Sequence, residues 1–338
     1  MTTPQKPPLR HENYTVGWIC ALPREFAAAQ GMLDDIYPAL SQNPSDNNNY
    51  VLGRIGGHNV VVACLPAGVT GTVSAATVVT RMMFTFKSMR FGLMVGIGGG
   101  VPSEKNDIRL GDVVVSEPGG TSGGVIQYDF GKTVQEGQFT RTGSLNRPPD
   151  VLLAAVATLK ARHMLKRPRL GGCVRDMIAQ LPDMADSFSY PGAQHDALYR
   201  SEYDHPEHID SCASCDPGQI VTRVPRGLDE PVIHYGLIAS GNQVMRHGGT
   251  RDRLRKGLDV LCFEMEAAGL MDNFPCLVVR GICDYSDSHK NKRWQYYAAA
   301  TAAAYAKELL YVIPTSQVAD TPVCKLNIVN ICTAGNKY

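Results

Sequence analysis

The 338-residue chain has almost no net charge, +1 with histidine neutral, and no basic stripe along it. Nucleic acid is therefore not expected as a partner, because phosphate backbones are held by clustered lysine and arginine. No apolar run reaches the roughly 18 residues that a membrane span needs, so no membrane partner is expected either. The opening "MTTPQKPPLRHENY" lacks the apolar stretch of a secretory signal. The ten cysteines lie mostly inside apolar segments, at Cys20, Cys64, Cys262, Cys276 and Cys283. That placement fits buried reduced thiols and not a disulfide framework. Internal repeats are absent. What survives these exclusions is a soluble, cytoplasmic α/β protein.

What is present supports a sizeable core, with 44% apolar residues and 33 glycines for tight turns. The expected organisation is a polar segment at 1–13, one domain over 14–312 and a tail or linker at 313–338. Residues 167–230, polar and rich in Pro, His and Asp, read as a long insertion over the surface. "YTVGWICAL", "FGLMVGIGGGVP" and "CLVVRGICDYSD" read as buried strands, and "YVLGRIGGHNVVVACLP" as a hairpin around Gly56-Gly57. Helices are expected at "PREFAAAQGMLDD", where a proline opens the first turn, at 149–166, at "EAAGLMDNF" and in the alanine-rich "WQYYAAATAAAYAKELLYVI". Strands alternating with helices predict a parallel or mixed sheet with helices on its faces. Ligands of such sheets sit beyond the carboxyl ends of the strands. Glu25, the glycines at 98–100 and Asp284 all fall at such ends.

Carboxylates in apolar surroundings are costly unless paired or used. "CFEMEAAG" places Glu264 and Glu266 on either side of Met265. In an extended chain the two acids face opposite ways, so one can meet a ligand while the other braces a neighbour. A carboxylate fork suits the vicinal hydroxyls of a ribose, though an acid at a helix N-terminus is also common. Asp284 closes an apolar strand as either a turn cap or a general acid. Glu25, one turn into a helix, is either a surface acid or part of the same site. "GIGGG" lacks the dinucleotide spacing and is followed by proline, so its glycines are expected to let a ligand approach the backbone. His205, His208, Cys212 and Cys215 give H-x2-H-x3-C-x2-C, a spacing that either closes a structural zinc site or merely decorates the insertion. No metal is assigned to the candidate site.

Together, "GWICALPREFAAA", "MVGIGGGVPSEKNDIRLGDVVVS", "IASGNQVM", "CFEMEAAG" and "VVRGICDYSD" resemble, in order, the purine nucleoside phosphorylase/uridine phosphorylase superfamily. Within it they are most similar to the nucleosidase branch and to the related domain at the front of fungal receptor-like and ankyrin-containing proteins. The resemblance covers about residues 14 to 312, apart from the insertion. It implies a three-layer α/β sandwich whose central mixed sheet forms a partial barrel flanked by helices. It also implies roles. Glu266 would hold the ribose hydroxyls and Met265 would pack under the sugar, with Glu264, Asn242, Gly98 and Gly99 in the same binding site. Val244 and Met245 would line the base pocket. Asp284 would protonate a departing purine, and Glu25 would deprotonate the attacking water. Uridine phosphorylases lack an acid at the position of Asp284, which points to purine nucleosides. No cofactor is implied, and a homo-oligomer, a dimer or trimer, is.

The phosphorylases carry an arginine just before the glycine-rich strand end and a serine inside it, where this chain has Met94 and Ile97. Phosphate without its guanidinium loses charge-assisted hydrogen bonds of about 1.5–3 kcal/mol each. Hydrolysis of a purine ribonucleoside to base and ribose is therefore the expected reaction. A phosphorylase using Arg24, or a nucleoside-sensing module of a larger fungal protein, are the alternatives.

Overall fold

The computed structural model describes residues 9–206 and 211–325. Its first third alternates strand and helix: β1 (Val16–Cys20), α1 (Pro23–Met32), β2 (Asp35–Tyr37), β3 (Tyr50–Ile55), β4 (His58–Cys64), α2 (Thr72–Thr85) and β5 (Phe91–Gly100). Next come β6 (Val113–Ser116), β7 (Val125–Gln127), β8 (Gly131–Thr133), β9 (Phe139–Arg141), α3 (Asp150–Leu165), α4 (Leu170–Gln180) and α5 (Ala185–Phe188). The last third holds β10 (Ile233–Ser240), α6 (Gly248–Leu258), β11 (Val260–Glu264), β12 (Cys276–Asp284), α7 (Gln295–Val312) and α8 (Thr315–Asp320).

One ten-stranded mixed sheet runs β11-β10-β6-β12-β5-β1-β4-β3-β2, with β7 added beside β10. β12 lies between β5, to which it is parallel, and β6, to which it is antiparallel. β11 also pairs antiparallel with the end of β5, through Cys262 with Gly100 and Phe263 with Gly99. The ring β11, β10, β6, β12 and β5 thereby closes into a partial barrel. Strands covered on both faces read as continuous apolar runs, and every residue of β1 and of β12 is buried. The alanine-rich α7 lies in the core, with Ala298 to Ala304 buried, because short side chains let its backbone sit close to the sheet.

Two expectations need correction. "EAAGLMDNF" does not form an α-helix; it makes a 3-10 turn at Ala267–Gly269, since "MDNFP" ends the element almost as soon as it starts. Part of the 167–230 segment is not superficial. α4 buries Leu170, Val174 and Met177 in the main core, and Phe188 of α5 packs edge-on to Tyr296 at a ring distance of 5.2 Å. The start of the tail also carries structure, since α8 buries Val318. All nine cysteines among the described residues are free thiols. Among the same residues no helix is long and apolar enough to cross a membrane.

Candidate active site

The antiparallel seam between β11 and β5 brings the carboxyl end of β11 against the carboxyl ends of β5 and β12. A cavity of about 270 Å³ opens there. Its wall includes Glu25, Ile97, Gly98, Gly99, Val244, Met245, Glu264, Met265, Glu266 and Asp284. Sequence segments far apart in the chain thus meet where the strand ends predicted. Asn242 is the exception. Its Oδ1 accepts from Thr72 N at 3.2 Å and Thr72 Oγ1 at 3.1 Å, so it braces the start of α2 and is absent from the wall.

Glu25 is not a surface acid, being only 3% exposed. From the first turn of α1 its side chain folds back to take Ala21 N at 2.7 Å, Leu22 N at 3.0 Å and, across on β5, Ile97 N at 2.8 Å. Burial raises its pKa, against the pull of Arg280 and these three N–H groups, which leaves a better base than an exposed glutamate. Gly96 makes this possible. A Cβ there would stand 2.5 Å from Glu25 Oε1 and 2.6 Å from Arg280 Nη1. At Gly99 a Cβ would meet Asp284 Oδ1 at 2.6 Å. The glycine run therefore makes room for the protein's own acids as well as for a ligand.

Glu264 and Glu266 divide the work between them. Glu264 braces the turn, accepting from Glu266 N at 3.2 Å and Ala267 N at 3.0 Å, and pairs with Arg280 Nη2. Glu266 Oε1 receives Gly71 N at 3.3 Å, at the positive end of α2, and its other oxygen lies 3.6 Å from Arg280. Burial, resisted by Arg280 and reinforced by Glu264 and Glu25, pushes Glu266 up to about 7. Arg280 itself is fully buried on β12; burial opposes its charge, but Glu264, Glu266 and Glu25 outweigh that and keep it cationic.

Asp284 Oδ1 accepts Ser286 N at 2.8 Å, and Lys290 Nζ stands 2.9 Å away. Ser286 adopts a left-handed φ of 54°, and its buried Oγ has no hydrogen-bond partner although it lines the cavity. Strain and an unpaired polar group together set Ser286 apart from an ordinary loop serine. Sequence reasoning missed Arg280, Lys290 and Ser286. Only Arg280 left a signal, a single charge inside "CLVVRGIC". Arg24 does not supply an anion site. It bonds Gln295 Oε1, lies 5.1 Å from the centre of the Tyr296 ring and is absent from the wall. Lys290 is the cation among the described wall residues, and it is already paired.

A closed partial barrel with a carboxylate-lined cavity at its strand ends defines the nucleoside phosphorylase-like class. The chain matches the family model of the phosphorylase superfamily over residues 15–174. It is 48% identical over 310 residues to a nucleotide-binding leucine-rich repeat (NLR)-like protein of Hyaloscypha variabilis, a match that takes in 91% of this chain and 30% of that protein. It is 24% identical over 310 residues to the 5'-methylthioadenosine/S-adenosylhomocysteine nucleosidase of Mycobacterium tuberculosis, covering 89% of this chain and 97% of the enzyme. The crystal structure of the corresponding nucleosidase of Neisseria meningitidis, in complex with methylthio-immucillin-A, shares the fold at a TM-score of 0.55 and 17% identity, over 88% of this chain and 98% of that one.

Proposed function

We propose that the protein is a purine nucleosidase that hydrolyses the N-glycosidic bond of purine ribonucleosides to free base and ribose. The observation that carries the proposal is Glu25, a buried carboxylate of raised basicity on a wall with no unpaired cation among the described residues. Such a wall repels phosphate and suits a neutral water. The similarity to nucleosidases supports the same reaction class.

The chemistry follows from the geometry. The bond between the anomeric carbon and the purine nitrogen breaks early, and its electron pair leaves with the base. Asp284 gives a proton to the imidazole-ring nitrogen of that base, with Lys290 as a second proton donor beside it. The sugar carries oxocarbenium-like charge, which the nearby carboxylates stabilise. Glu266 accepts hydrogen bonds from the ribose hydroxyls, and Met265 packs against the sugar. Glu25 takes a proton from water as its oxygen bonds to the anomeric carbon. Ser286 Oγ gains its missing partner from the ligand.

Adenosine, inosine and guanosine, each with and without phosphate, test the reading directly. Base and free ribose at a phosphate-independent rate are expected; phosphate-dependent ribose 1-phosphate would overturn it. Glu25→Gln keeps the volume but not the base, gives up the N–H bonds of one oxygen, and should lower kcat by roughly 10²–10⁴-fold, within the range of general-base catalysis. Full activity in that variant would remove water activation from Glu25.

Glu266 gives a pH prediction. The hydroxyl-accepting form is the carboxylate, so kcat/KM should rise with pH and level off above about 7, and Glu266→Gln should remove its part of that rise and leave the part that Glu25 contributes. The stability effect has the opposite sign. A carboxyl raised on folding stabilises the fold below its ordinary value of 4.5, and that contribution is lost as pH climbs through about 7. Thermal unfolding across this window should show Tm falling, and less so in Glu266→Gln.

The similarity to the NLR-like protein favours a second reading, in which the same site serves a larger receptor by binding a nucleoside as a signal. Tight nucleoside binding with no release of base in the assay above would select it.

A further inference from the structure

Outside the cavity, four metal-binding side chains meet. His205, Cys212, Cys215 and His289 each offer a donor atom, and these atoms lie within 4.8 Å of one another. The sulfurs of Cys212 and Cys215 stand 3.8 Å and 3.7 Å from Nδ1 of His289. Tetrahedral zinc, with Zn–S of about 2.3 Å and Zn–N of about 2.0 Å, separates sulfur from nitrogen by about 3.5 Å. A small inward movement closes the set around an ion.

The rings are already oriented for it. Nε2 of His289 lies 2.9 Å from the Tyr203 carbonyl, and Nδ1 of His205 lies 3.0 Å from the Pro206 carbonyl. A carbonyl only accepts, so both of those nitrogens carry the proton. Nδ1 of His289 and Nε2 of His205 are left with lone pairs, the tautomers that a metal takes. The His289 ring is fixed further by stacking on Tyr199 at 3.9 Å. The two cysteines share one turn, capped by Ser211 and closed by Cys215 N–H on the Cys212 carbonyl. Sequence spacing offered His208 as the fourth ligand. His208 lies outside the described residues, and His289, 74 positions beyond Cys215, stands in the set.

We propose that His205, Cys212, Cys215 and His289 bind one structural zinc ion that ties the 167–230 segment to the loop after β12. Two thiolates balance the dication, so the cluster is neutral and its partial burial is tolerated. Two soft sulfurs and two imidazoles in a tetrahedron select zinc among the common divalent ions, and four protein ligands leave no open position for catalysis. The ion is thus separate from the hydrolysis. Its effect on the site is mechanical, since His289 precedes Lys290, whose Nζ lies 2.9 Å from Asp284.

The test uses the full chain, purified under reducing conditions, incubated with zinc chloride and desalted. Elemental analysis should find roughly one zinc per chain, and X-ray absorption should find two sulfurs at about 2.3 Å and two nitrogens at about 2.0 Å. Cys212→Ser/Cys215→Ser should lose the metal, while Cys173→Ser should keep it. Replacing the zinc with cobalt(II) should give thiolate charge-transfer and tetrahedral d–d bands. No stoichiometric zinc, a shell of nitrogen and oxygen alone, zinc retained by the double variant, or a Cys212–Cys215 disulfide in the reduced preparation would each overturn the proposal. If the double variant fails to fold, the absorption spectrum of the unaltered chain decides alone.

Discussion

Asp284→Asn should lower kcat on adenosine or inosine by roughly 10²–10⁴-fold, the usual worth of a positioned general acid, while KM shifts little. The amide is isosteric and its oxygen still accepts Ser286 N–H, which Asp284 Oδ1 takes at 2.8 Å, so the turn at the end of β12 keeps its shape. What disappears is the carboxyl that can pass a proton to the base and pair with Lys290. A ribonucleoside analogue with a nitrophenyl leaving group separates acid catalysis from general damage. Nitrophenolate departs without protonation, so Asp284→Asn should spare its hydrolysis. Near-normal turnover of adenosine, or an equal loss on both substrates, would sink the assignment.

The second large effect belongs to Arg280. Arg280→Met fills most of the same volume but leaves Glu264, Glu266 and Glu25 facing one another without their shared cation. Removing one partner of a buried charge cluster costs about 3–5 kcal/mol, a large part of the roughly 5–15 kcal/mol that holds a domain folded. The loss should shrink in acid, because protonated carboxyls no longer repel. Urea unfolding at pH 5 and pH 8 should therefore give a smaller difference from the unaltered chain at the lower pH. Adding Glu264→Gln to Arg280→Met should recover part of the loss at pH 8. The same penalty at both pH values, with no recovery in the double variant, would mean that packing and not charge explains the role of Arg280. Arg280→Lys should also fall short, since one ammonium cannot replace both Nη2, which reaches Glu264 and Glu266, and Nη1, which donates to the Ile97 carbonyl at 3.5 Å.

The readable parts of the site were those that break a local pattern. Glu25, Glu264, Glu266 and Asp284 are acids next to apolar runs, and the glycines at 98–100 interrupt a strand. Each is anomalous within its own few residues. The sheet was readable for a related reason, since β1, β5 and β12 are apolar throughout. Arg280 stood in plain view inside β12, but its partners lie 14 and 16 positions upstream, on β11 and the turn beyond, and only the fold brings them together. Lys290 and Ser286 sit in a polar loop where lysine and serine are ordinary; only the left-handed backbone and the unpaired hydroxyl set Ser286 apart. α4 was passed over because its apolar residues are spread through a segment rich in polar ones and face α7, more than a hundred residues away. His289 was overlooked as a partner of Cys212 and Cys215 because the turn that presents it belongs to another part of the chain. Asn242, which the resemblance placed in the binding site, holds Thr72 at the start of α2.

The position of β12 has a bearing on biosynthesis. It is made after β5 and β6, yet it lies between them and is hydrogen-bonded to both. Until residues 276–284 leave the ribosome, β5 and β6 each present an unpaired edge, and the ring cannot close. The emerging chain must therefore carry two adhesive strand edges from the completion of β6 to that of β12, a state that favours chaperone capture over early independent folding. Glu25 is synthesised about 250 residues ahead of Arg280 and Asp284, which arrive together on β12. Assembly of the candidate site and completion of the barrel thus fall at one moment of synthesis, and a product truncated before β12 lacks both.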